Sequence, residues 1–99
     1  MKYNEIWDLF AWLVEENIPC TIEPLFDGAK IDLNHGDVVQ HRGSYGNQNG
    51  CVEFGYTGLV DAEFCTATEL DNIDFCPIPL EEAKKIFLNN REYFTDMNI

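Results

Sequence analysis

The sequence predicts an α+β domain: a four- to five-stranded antiparallel sheet with an N-terminal and a C-terminal helix packed on one face. Three observations predict it. Apolar residues recur at helical spacing near the N-terminus, at Ile6, Leu9, Phe10, Leu13 and Val14. Alternating apolar and polar residues then run between turn signals through the middle of the chain. A second helical stripe, at Leu80, Ala83, Phe87 and Phe94, follows Pro77-Ile78-Pro79 near the end.

The first helix has Asn4 as its expected N-cap, with Glu5 and Asp8 in or near the first turn, where carboxylates complement the helix dipole. Asn17 is its expected stop, since Asn tolerates the left-handed conformation and Ile18-Pro19 cannot continue the helix. Trp7 and Trp12 flank the stripe and read as core or rim packing, or as interface anchors where exposed.

Cys20 to Phe26 reads as a strand, and Pro24 confines it to an edge or a short segment. Asp27-Gly28 signals a hairpin. Ala29, Ile31 and Leu33 alternate with Lys30 and Asp32, as a half-buried strand requires. Asn34-His35-Gly36-Asp37 turns the chain into a further strand from Val38 to Arg42. Gly43 to Gly50 is a polar loop with Tyr45 at its centre. Cys51 to Tyr56 and Leu59 to Cys65 read as a second hairpin around Thr57-Gly58, and Thr66 to Cys76 as an acidic connection. The last helix starts with Pro79 near its first position and Glu81 and Glu82 in its first turn.

Ninety-nine residues make one domain, residues 1–99, with no repeat, linker or low-complexity tract. At 45% hydrophobic and 13% aromatic residues the chain can bury a core. No segment approaches the roughly 20 apolar residues that cross a bilayer. The first eight residues carry acids where a signal peptide has a basic start and an apolar run, so the expected location is the cytoplasm. Cys20, Cys51, Cys65 and Cys76 include no C-x-x-C pair. In a reducing compartment they are four thiols, mostly buried, whereas an oxidising one would allow two disulfides.

The charge is the extreme feature, at −12. Phosphate contacts need lysine and arginine, and the chain has six, so direct nucleic-acid binding and anionic membranes are both disfavoured. A basic protein is the natural complement. From Gly43 to Glu82 there is no lysine or arginine, while Glu53, Asp61, Glu63, Glu69, Asp71, Asp74, Glu81 and Glu82 all fall there. Alternation in the expected second hairpin sends Val52, Phe54, Tyr56, Val60, Ala62 and Phe64 to the core. Glu53, Asp61 and Glu63 then share the solvent side as cross-strand or diagonal neighbours. Like charges so placed destabilise a sheet by about 0.2–1 kcal/mol per pair. The expected partner-binding residues are therefore Glu53, Asp61, Glu63, Glu69, Asp71 and Asp74, with Tyr45 as an aromatic anchor. The plainer reading of the same charge is a solvated face that aids solubility.

Other motifs point elsewhere less well. Asp32 to Asp37 departs from a calcium loop, since glycine and aspartate are exchanged at loop positions five and six and Gly43 stands where a glutamate is needed. His35 and His41 with the four cysteines match no zinc spacing. Gly43-Ser44-Tyr45-Gly46 lacks the lysine and the following helix of a phosphate cradle. No catalytic residue, cofactor or metal is expected, and the chain reads as a binding protein and not an enzyme.

In size, and in the carboxylates at Glu53, Asp61, Glu63, Glu69, Asp71 and Asp74, the chain resembles small acidic inhibitor proteins of phages and mobile elements, of the anti-CRISPR and anti-restriction kind. The resemblance covers about 40% of the chain and implies a phosphate-mimicking face that blocks a basic nucleic-acid-binding protein or nuclease. Two other readings stay open: an immunity protein or antitoxin of a basic nuclease toxin, and a small ligand-binding or regulatory domain whose acidity serves only solubility.

Overall fold

The computed structural model describes residues 3–34, 36–44, 47–55 and 75–95. Helix α1 (Asn4–Glu15) is followed by strands β1 (Cys20–Leu25), β2 (Gly28–Leu33), β3 (Gly36–Gln40), β4 (Cys51–Gly55) and β5 (Phe75–Pro79). A 3-10 turn at Asn47–Asn49 precedes β4, and helices α2 (Leu80–Asn89) and α3 (Arg91–Thr95) close the described chain. The five strands form one antiparallel sheet in the order β1-β2-β3-β4-β5. Prolines occupy both outer strands, Pro24 on β1 and Pro77 and Pro79 on β5, where a missing ladder donor costs least and discourages pairing with another chain.

Both ends of α1 are fastened from a distance. Asn4 is the first helical residue instead of the cap; Tyr3 holds the cap position and makes no side-chain capping bond. The task falls to Gln40 of β3, which is fully buried. Its Oε1 accepts the Ile6 backbone N–H at 2.9 Å, and its Nε2 donates to Glu5 Oε1 at 2.9 Å. One of the helix's orphan donors is thereby satisfied by the sheet itself. At the other end Asn17 has φ 62, as expected of a left-handed stop. Its N–H donates to the Val14 carbonyl and the Ile18 N–H to the Leu13 carbonyl, the bonding of a Schellman motif. Leu13 and Ile18 are both buried, which supplies the apolar contact that accompanies it. Arg91 of α3 then donates to the Glu16 carbonyl at 2.7 Å and to Glu16 Oε1 at 2.5 Å.

The core lies between the helices and one face of the sheet. Ile6, Leu9 and Leu13 of α1, and Ala83, Ile86 and Phe87 of α2, pack on Ala29, Ile31, Val38, Val52, Phe54 and Ile78. Phe87 sits at its centre, with ring centroids 4.7 Å from Phe94, 5.5 Å from Phe54 and 6.5 Å from Trp12. Trp7 and Trp12 pack against this core as half-buried residues.

Two further expectations are corrected. The final helical stripe is broken at Asn90, so Phe94 belongs to the separate turn α3. Asn90 ends α2 by donating from its side chain to the Ile86 carbonyl at 2.9 Å, a local bond that competes with helix continuation. Strand β4 also does not pair with a strand that directly follows it. Its two edges are taken by β3 and by β5, the latter formed from Phe75 to Pro79, where the sequence predicts the end of the acidic connection and the lead into the last helix. No edge of β4 remains for a Leu59 to Cys65 partner; that segment itself lies outside the described residues.

Candidate protein-contact surface

Alternation in β1, β2 and β3 that turns the half-buried Ile22 and the buried Ile31 and Val38 toward the core sends their neighbours to the opposite face. Register places those neighbours in two rows. Glu23, Lys30, Val39, Glu53 and Pro77 are successive partners across all five strands. Thr21, Asp32 and Asp37 are partners in the adjoining row. The face away from the helices therefore gathers Glu23, Asp32, Asp37 and Glu53 around Lys30, its one cation among the described residues.

Asp32 and Asp37 face each other directly, an arrangement that by itself opposes sheet formation. Lys30 relieves it. Its ammonium lies 3.4 Å from Asp32 Oδ1 and 3.8 Å from Asp37 Oδ2. The charge of Asp32, its hydrogen bond and the charge of Asp37 raise the Lys30 pKa above its ordinary value; burial opposes them, and the charge of Glu23 adds a lesser push upward. The side chains of Asp32 and Asp37 are 47% and 36% exposed, and Glu23 is exposed. These side chains remain available to an incoming cation.

Of the expected contact residues, Glu53 is the one the structure describes. It is only 7% exposed, so the expectation of a solvent-facing carboxylate is corrected. It lies on a strand flanked on both sides, with Val39 opposite it on β3 and Pro77 on β5. Tyr45, Asp61, Glu63, Glu69, Asp71 and Asp74 lie outside the described residues. The open carboxylates Glu23, Asp32 and Asp37 were missed by sequence reasoning, which followed the base-free run from Gly43 onward. The signal that finds them is alternation: Ala29, Ile31 and Leu33 facing inward already puts Lys30 and Asp32 outward together.

The sheet face ends at a hairpin turn of two residues, Phe26 and Asp27, set by the Leu25–Gly28 register pair. Gly28 is required here, because a Cβ would stand 1.8 Å from the Gln40 carbonyl oxygen. Phe26 has φ 54, a region that costs a non-glycine residue roughly 1–2 kcal/mol. Its ring is 67% exposed, with the Arg42 guanidinium carbon 4.9 Å from the ring centroid and the His41 ring at 5.1 Å. Asp27 Oδ1 accepts the Arg42 backbone N–H at 2.8 Å.

The described thiols, Cys20 and Cys51, are free and half-buried. Burial raises both pKa values, and the Glu5 carboxylate raises that of Cys51 further, so neither is primed as a nucleophile near neutral pH. Among the described residues no three histidine, cysteine or carboxylate side chains converge as metal ligands, and no helix is long and apolar enough to cross a membrane. Hollows lined by Pro19 to Thr21 with Asp32 to Asn34, and by Leu88 to Tyr93, are open to solvent. Comparison with protein-family models, curated proteins and solved structures finds no match to this chain.

Proposed function

We propose that this chain is a small acidic binding protein that blocks a basic nucleic-acid-binding protein or nuclease by placing carboxylates where the target holds phosphates. The observation that carries the reading is the pairing of Asp32 with Asp37 beside Glu23 on one sheet face, inside a chain of net charge −12. Carboxylates on neighbouring strands lie about 5–8 Å apart, directly opposed or diagonal. A target groove that spaces lysines and arginines along a nucleic-acid backbone can meet such a row with several cations at once. Lys30 already sits between Asp32 and Asp37, so an incoming ammonium or guanidinium would meet the exposed sides of these two carboxylates and of Glu23.

The mechanism is electrostatic and steric. Long-range attraction speeds encounter and is screened by salt, while the bound protein occludes the groove. Asp61, Glu63, Glu69, Asp71 and Asp74, with Tyr45, extend the candidate contact set. An immunity protein facing a basic nuclease toxin would use the same physics on a different partner. The reading sets the protein in the cytoplasm, with its target, and gives it no catalytic step.

The test is recovery of a bound protein from host extract at low and high salt, with and without excess duplex DNA, by wild type and by the Glu23→Gln, Asp32→Asn, Asp37→Asn triple variant. Recovery of a basic protein that is weakened by salt, displaced by DNA and lost in the variant is the expected result. Recovery indifferent to both DNA and the variant sinks the proposal.

A further inference from the structure

We infer that Phe26 is the apolar anchor of this contact, seated in an apolar socket on the basic partner, with Asp27, His41 and Arg42 as the near-neutral ground around it. The inference rests on the acidic-face reading and names the residue at which the partner is held.

The backbone supplies the first argument. A two-residue hairpin turn with positive φ at its first residue is made without strain by glycine and with little by asparagine. Phenylalanine at φ 54 gains nothing for the turn. Nor does its ring serve the core, being two-thirds exposed. A strained aromatic that is two-thirds exposed, and that touches the surface side chains of Arg42 and His41 instead of the core, is the pattern from which function is inferred.

The surroundings supply the second. Arg42 over one side of the ring and His41 beside it restrict its orientation. The Asp27–Arg42 backbone bond and the close approach of Gly28 to Gln40 tie the turn to β3. An aromatic already held in place loses less freedom on binding. Val14 and Leu88, the other exposed large apolar residues among the described ones, lie on helices with no positive φ.

Charge supplies the third, and it identifies the partner. Interface centres are depleted in net charge and rich in aromatic residues and arginine, while charged groups gather at the rim. At this turn Asp27 and Arg42 offset each other, in a chain otherwise far from neutral. Glu23 lies three residues away along an extended strand, about 10 Å. An uncharged aromatic tip adjoining a row of carboxylates complements an apolar socket rimmed by lysine and arginine.

The test uses two synthetic peptides of equal length and charge, one alternating lysine with leucine and the other lysine with serine, titrated into the whole protein at about 0.15 M salt. Wild type is expected to bind the leucine peptide at least about fivefold more tightly than the serine peptide. Phe26→Asn should bring that preference below about twofold, while Leu88→Asn should retain it. Phe26→Asn should also melt no lower than wild type, and up to about 4–8 °C higher as backbone strain is relieved. A preference that survives Phe26→Asn, or a variant that melts lower, overturns the inference. Binding of neither peptide overturns the acidic-face reading and the anchor with it; equal binding of both removes the anchor alone.

Discussion

Asp32 and Asp37 stand directly opposite each other across the β2–β3 ladder, and both carboxylates are within 4 Å of the Lys30 ammonium. Replacing that ammonium by an apolar group leaves two like charges facing each other. Lys30→Met should therefore lower the urea midpoint at low ionic strength, and about 1 M salt should recover most of the loss by screening. Because the Lys30 pKa is raised on folding, the stabilisation is fully present below the unfolded lysine value and is lost as pH rises through the higher folded value. Wild type and Lys30→Met should thus converge in stability only in strongly alkaline buffer. An unchanged midpoint at low salt would show that the pairing contributes nothing.

Gln40 joins the sheet to the start of α1 through two hydrogen bonds, to Ile6 and to Glu5. Gln40→Leu fills similar space and leaves the Ile6 N–H without its acceptor in a buried setting. The expected cost is about 1–3 kcal/mol, read from urea unfolding. Hydrogen exchange at Ile6 should accelerate more than at Leu13, because the far end of the helix keeps its own stop. Equal acceleration at both would mean that the loss is global and that Gln40 is no cap.

How far the sequence shows this molecule depends on which signal is followed. Helical spacing at Ile6, Leu9 and Leu13 and alternation at Ala29, Ile31 and Leu33 each stand on local geometry, and the fold class follows from them. Strand β5 was hidden because Pro77 and Pro79 argue against a strand, and only its edge position makes them acceptable. The partner of β4 was misread for a related reason: adjacent segments usually pair, and here the pairing strand comes 20 residues later. Counting charges along the chain passes over the Asp32–Asp37 pair, which only pairing across strands brings together. Lys30 and Arg42 interrupt the acidic run around Asp32 and Asp37, yet the ladder still puts those two carboxylates side by side.

Cys20 and Cys51 carry thiols whose pKa values burial has raised. At pH 8 both should react with a disulfide reagent about tenfold or more slowly in the folded protein than in urea. A raised folded pKa also contributes stability that is present below the unfolded thiol value, about 8.5, and is lost as pH climbs past it toward the folded value. Fast labelling of the folded protein at pH 8 would contradict the burial of both groups.

Glu53 separates the two ways of locating the acidic surface. If it were a solvent-facing contact residue, reversal to lysine would leave folding intact and act only on binding. Its 7% exposure on a strand paired along both edges predicts the opposite. Glu53→Lys brings a larger, oppositely charged group into the place of a buried carboxylate and should cost about 2–4 kcal/mol, a large share of the roughly 5–15 kcal/mol that holds a domain of this size. Asp32→Lys and Glu23→Lys, on open positions of the same face, should each stay within about 1 kcal/mol of wild type. Thermal and urea unfolding of the three variants in parallel decides the matter. A Glu53→Lys protein as stable as the other two would return that carboxylate to solvent and to the contact surface.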